Sequence, residues 1–189
     1  TAMVRLWERS RAATTWLGLA GLLTFPVAGG LLGWLYLATH PTPGAIGFTG
    51  EVGVVLVVGI LLGLCAAVAV IHELIHALAM VAVRHRPRLH FDTIPYVRIS
   101  VDGDGAPFSR AAFVWVKMAP VVIVTAALVA GVVTGPYAGW LIVPAAFHLT
   151  ASKMDIAYTL VALRQSASTQ FRVVDDGLEL TEPDDYLVP

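Results

Sequence analysis

Charge is nearly absent from four stretches of this chain, residues 12–39, 52–83, 111–134 and 137–163, and polar segments of unequal length separate them. Each has the length of a membrane-crossing helix, which takes about 20 predominantly apolar residues. The first follows a lead in which Arg5, Arg9 and Arg11 stand against a single acidic residue, Glu8. It is read as a retained helix, because the apolar region of a cleaved leader would be only about 7–15 residues. Trp16, Trp34 and Tyr36 near its ends suit interfacial belts. The second stretch would reach about 48 Å as a helix, past a hydrocarbon core of about 30 Å, so it must tilt, bend or project beyond the membrane. In the third, Lys117 is close enough to the start to snorkel to the surface, and Pro120 is expected to bend the helix.

The polar segments have patterns of their own. Pro41, Pro43, Gly44, Gly47 and Gly50 read as a short loop. Residues 84–110 form the sizeable polar insertion between spans. There Tyr96 leads into Val97, Ile99 and Val101 alternating with Arg98 and Ser100, the period-two pattern of a half-exposed strand, and Asp102-Gly103-Asp104-Gly105 supplies a turn. A strand or small hairpin at the membrane surface is expected. After residue 163 the chain is polar and acidic, and Asp175-Asp176-Gly177 between two β-prone runs is the place for another small hairpin, with disorder expected beyond Glu182.

Composition agrees with the pattern. The 189 residues are 57% hydrophobic and only 13% charged, with mean hydropathy +0.77. A soluble domain is nearer 45–50% apolar and about 25% charged, so this is the composition of an integral membrane protein. Net charge is −1 and the basic residues are scattered, which gives no footprint for nucleic acid. The single cysteine, Cys65, excludes an internal disulfide and reads as a small helix-packing residue. Arg5, Arg9 and Arg11 precede the first span, Arg84 to Arg98 follow the second, and Arg164 follows the fourth, while the opposite loops carry no Lys or Arg. The positive-inside rule then puts both termini and the insertion in the cytosol of a prokaryotic-type cell. The expected fold is mainly α: a polytopic bundle of four transmembrane helices with a small cytosolic β-hairpin insertion. A membrane-embedded domain fills residues 1–165, and an acidic cytosolic tail fills 166–189.

One helix in this bundle is chemically odd. His72-Glu73-Leu74-Ile75-His76 is an HExxH pattern in apolar sequence, expected by chance in about 0.5% of such chains. Residues four apart share a helix face, so His72 and His76 can offer two imidazoles to one metal with Glu73 beside them. Polar groups at membrane depth are costly without partners, and a zinc ion is the partner this set suits.

Catalytic zinc usually takes three protein ligands. The extended HExxHxxGxxH pattern fails, because Ala79 and Ala82 stand where Gly and His would be. No Glu occurs between Glu73 and Glu179, which leaves His85, His90 and Asp92 in the polar insertion, or Asp155. Asp155 is the acidic residue inside the fourth stretch, and an intramembrane carboxylate is a functional-site hypothesis by default. His76 is eight residues before Arg84 and Asp155 nine before Arg164, which sets both at a similar depth. Pairing of Asp155 with Lys153, or capping of a broken helix, is the structural alternative. His148, two turns before Asp155 on the same face, could stabilise an oxyanion, hydrogen-bond a ligand, be a fourth ligand, or be an ordinary bundle histidine.

With HELIHAL on one helix and Ser152-Lys153-Met154-Asp155 on a later one, the chain resembles the zincin membrane peptidases of a domain-of-unknown-function family and, in plan, the site-2 proteases. The resemblance implies proteolysis in or beside the membrane, with His72, His76 and Asp155 as ligands of one Zn2+ per chain and Glu73 as catalytic residue. The sequence departs from the site-2 protease pattern at Asp155, which stands in Lys153-Met154-Asp155-Ile156 rather than in an LDG context.

Zinc-dependent peptide hydrolysis is therefore the expected function, with Glu73 as the base that activates water and returns the proton to the leaving amine. A peptide or membrane-protein substrate in a lipid bilayer is expected, and Tyr96, Val97, Arg98, Ile99 and Ser100 could hold it by strand addition. That strand could instead merely cover the site. The rivals are a non-catalytic protein braced by zinc, which would need a closed four-ligand shell, and a metal or proton transporter. Substrate identity and oligomeric state are not written in the sequence.

Overall fold

The computed structural model describes residues 3–8, 11–40, 51–92, 98–135, 137–174 and 177–182. Three helices are long and apolar enough to cross a membrane: α1 (Arg11–Thr39), α2 (Glu51–Ala82) and α3 (Arg110–Thr134). Each falls within a residue of its expected limits. On the outward side of α2, Leu62, Leu74 and Leu78 are exposed, as a helix solvated by lipid tails requires.

The fourth apolar stretch differs from the single span expected. It is divided into a 3-10 turn (Ala138–Leu141), α4 (Ile142–Ala151) and α5 (Lys153–Leu163). The break is at Ser152, whose hydroxyl donates to the main-chain oxygen of His148 at 2.8 Å. A serine bonding back four residues bends a helix because it competes for the carbonyl of its own ladder. The new helix starts at Lys153, two residues before the acidic residue of that segment, so Asp155 lies in the first turn of α5.

The polar segments gather around one end of the bundle. Strands β2 (Arg88–Asp92) and β3 (Arg98–Asp102) pair antiparallel after α2, so the expected hairpin is present, while Tyr96 and Val97 lie outside the described residues. A second sheet was not foreseen in this form. It has the order β1-β6-β5-β4 and joins β1 (Met3–Glu8), β4 (Phe108–Ser109), β5 (Gln170–Val174) and β6 (Gly177–Glu182). The basic lead is thus a strand, and the acidic segment forms the expected hairpin, β5 pairing antiparallel with β6. The loop expected around Pro41 to Gly50, the turn at Asp175-Asp176 and the stretch beyond Glu182 lie outside the described residues.

This sheet sits where α1 and α3 begin and where α5 ends, and Arg110 ties the last two together by donating to the Gln165 carbonyl at 2.8 Å. Phe113 of α3 stacks on Phe171 of β5 with centroids 5.2 Å apart, in a core that also holds Met80, Val101, Tyr158 and Leu178. A second core, around Leu32, Val68, Val124, Leu128 and Ala145, joins α1 to α4 deeper in the bundle. The HExxH turn of α2 lies between these two cores.

Candidate metal centre

His72 and His76 are one turn apart on α2, both buried, with their Nε2 atoms 3.1 Å from each other. Asp155 meets them from α5: Oδ2 is 3.1 Å from His72 Nε2, and Oδ1 is 3.4 Å from His76 Nε2. The carboxylate lies in the first turn of α5, where the helix N-terminus carries partial positive charge, and this favours an anion there.

The outer nitrogen of each ring fixes what the inner one presents. His76 Nδ1 lies 2.8 Å from the main-chain oxygen of Val116, a pure acceptor, so that nitrogen carries the hydrogen and neutral His76 offers a lone pair at Nε2. His72 Nδ1 lies 3.1 Å from His148 Nε2, and His148 Nδ1 lies 3.4 Å from Thr125 Oγ1. With the hydrogens running from His72 through His148 to the threonine oxygen, one of the two directions open to this chain, His72 Nε2 is bare as well.

In that arrangement two bare nitrogens and a carboxylate face one another. Donors about 2.0–2.1 Å from a tetrahedral zinc lie about 3.3 Å apart. The two Nε2 atoms at 3.1 Å and Asp155 Oδ2 at 3.1 Å from His72 Nε2 match this spacing, and the other carboxylate oxygen, Oδ1, lies 3.4 Å from His76 Nε2. Acceptors that close repel unless a cation lies among them, so the donor set fits zinc. Glu73 completes a group with His72 and His76 whose ligating atoms all lie within 4.8 Å of one another. Its Oε2 accepts the main-chain N–H of Val101 at 2.9 Å, which brings the free edge of β3 onto the carboxylate beside the two histidines.

His148, foreseen in several roles, is buried behind His72 and reaches its outer nitrogen rather than the Nε2 cluster. His85 is drawn away to Asp104, at 3.4 Å, and stacks on Phe108. His90 and Asp92 lie on β2, and Arg98, Ile99 and Ser100 on β3. The expectation that Lys117 snorkels to the surface is overturned: its Nζ lies 3.2 Å from Asp155 Oδ1, with only 15% of the side chain exposed. Sequence reasoning passed over Lys117 as a site residue, although asking which cation could neutralise a carboxylate at membrane depth would have found it. Val116 carried no such signal, because its contribution is a main-chain oxygen.

A small cavity of about 40 Å³ adjoins this centre on the side of the sheets. Val101, Val116 and Lys117 all line it. Each of them touches a different member of the site: Glu73, His76 and Asp155 respectively.

A bundle of long apolar helices with an HExxH pair turned inward onto a carboxylate is a membrane-type protein with the donor set of a zincin. The chain belongs to the family described as "Putative zincin peptidase", whose model matches residues 65–170, from the middle of α2 to the first residue of β5. No curated protein and no solved structure matches it. The family implies zinc and peptidase chemistry, and the HExxH residues are compatible with both.

Proposed function

We propose that the protein is a membrane metallopeptidase that binds one zinc per chain through His72, His76 and Asp155 and hydrolyses peptide bonds within or beside the bilayer. The observation that carries this reading is the convergence of two imidazole Nε2 atoms and one carboxylate to 3.1–3.4 Å, with a second carboxylate, Glu73, next to them. Zinc in such a set acts as a Lewis acid on the scissile carbonyl and brings the pKa of nearby water towards neutrality. Glu73 takes the proton from the attacking water and delivers it to the leaving amine. His148 holds the His72 ring in its ligating tautomer, as Val116 does for His76.

The free edge of β3 supports an extended substrate, because strand addition supplies main-chain hydrogen bonds to any unwound segment. The small cavity beside that edge leaves room for water next to the residues that touch the centre. The arginines flanking α2, α3 and α5 at that end support a cytosolic location for it, with α4 and α5 together making a broken fourth crossing. A purely structural zinc would need a fourth protein donor. His148, the candidate, is turned to the far side of His72, which favours the open shell of a hydrolase.

The deciding experiment compares wild type with Glu73→Gln, using a membrane-anchored reporter that carries an unstructured juxtamembrane segment. The variant is expected to retain its zinc while cleavage falls by about 10²–10⁴-fold, the usual contribution of a general base. Cleavage that survives unchanged removes Glu73 from this role.

A further inference from the structure

Lys117 reaches the centre from α3, and nothing in the chemistry proposed so far uses it. An ammonium taken out of water is costly, so a buried lysine needs compensation. Here Asp155 Oδ1 lies at 3.2 Å, and the Tyr158 ring face is 5.7 Å away on another side. Starting from the second turn of α3, the side chain could have reached the headgroups instead. Its inward course places one positive charge on one particular oxygen.

Both oxygens of Asp155 are within reach of the imidazole cluster, Oδ2 at 3.1 Å from His72 Nε2 and Oδ1 at 3.4 Å from His76 Nε2. A carboxylate so placed can bind a metal through one oxygen or through both. Two cations compete for a shared oxygen, and their mutual repulsion drives the metal to the other one. We propose that Lys117 is a positioning residue that withholds Oδ1 from zinc and limits Asp155 to a single ligating oxygen, which keeps coordination space for water and substrate. The role rests on the zinc centre proposed above. Lys117 also lines the small cavity beside the centre.

The test measures zinc content and zinc-edge X-ray absorption on the purified full-length chain and its Lys117→Met, Lys117→Gln and Lys117→Arg variants, with His76→Ala as reference. In the neutral variants, zinc content is expected to stay at the wild-type level while the zinc coordination number rises by about one, as Asp155 turns bidentate. Arginine, which keeps the charge, is expected to restore the wild-type value. Two neutral replacements of different polarity are used so that a folding failure of one, visible as lost helical circular dichroism, leaves the other to decide. Unchanged coordination in a folded neutral variant overturns the proposal, as does zinc loss that Lys117→Arg repairs, because the lysine would then hold the ligand in place rather than select its oxygen. If the wild type takes up no more zinc than His76→Ala, the centre itself falls and this role with it.

Discussion

His76 Nδ1 takes up the main-chain oxygen of Val116 at 2.8 Å, and that oxygen is free inside a helix because of a residue four positions on. An α-helical carbonyl normally accepts the N–H of the fourth residue after it. For Val116 that residue is Pro120, which has none. Pro120 lies within α3 without ending it, and the carbonyl it leaves over would be an unmet polar group at membrane depth. His76 on α2 supplies the missing donor. A proline that a sequence reader takes for a bend is thus also what makes an acceptor available to orient a candidate ligand.

Replacing Pro120 with alanine restores the competing N–H. The expected outcome has two signs: α3 gains stability, up to about 3 kcal/mol on helix propensity alone, while zinc affinity falls by up to about tenfold as His76 loses part of its orientation. Thermal unfolding of the zinc-free protein and competition with a chromogenic chelator measure the two effects separately. Zinc affinity equal to that of wild type would mean that the Val116 carbonyl serves both donors without loss.

His148 gives a sharper separation of roles. Its Nε2 meets the outer nitrogen of His72, so His148→Ala should weaken zinc binding by about 10–100-fold, the range for groups that orient a ligand from behind. His72→Ala, which deletes a donor itself, should abolish stoichiometric binding. Thr125→Val should cost less than His148→Ala, because the contact it removes is 3.4 Å long. Zinc titration of the three purified variants ranks them. If His148→Ala proved as severe as His72→Ala, His148 would belong among the direct ligands.

The HExxH pair was legible because its spacing is local: two histidines one turn apart share a face of any helix. Asp155 was reachable by inventory and depth, since each apolar segment holds few ionisable groups and those at one level can meet. The break at Ser152 was hidden, because serine in an apolar run is as compatible with an unbroken helix, and the competition that bends it arises only from its own hydroxyl and the His148 carbonyl. The four-stranded sheet was hidden for another reason. Outside the β5–β6 hairpin it pairs residues far apart in the chain, Met3 with Glu182 and Phe108 with Phe171, and such partners leave no mark in local periodicity. The alternation of Val97, Ile99 and Val101 did announce a strand, but nothing in it said that a main-chain N–H from this strand would land on Glu73.

That last contact gives a prediction in which the backbone, not a side chain, is the functional group. The Val101 N–H donates to Glu73 Oε2 at 2.9 Å and so points away from β2, the partner strand. Proline on the outward-facing side of an edge strand costs no ladder bond. Val101→Pro should therefore keep the hairpin and the zinc while removing the donor that positions Glu73. Val101→Ala keeps the donor and loses only apolar packing of a buried side chain. The proline variant is expected to lower cleavage of the membrane-anchored reporter by about 10²-fold, in the lower part of the range for general-base catalysis. The alanine variant should stay within about tenfold of wild type, because a small cut in a buried side chain acts mainly on stability. Equal activity of the two, at equal zinc content, would show that Glu73 finds its position without the strand.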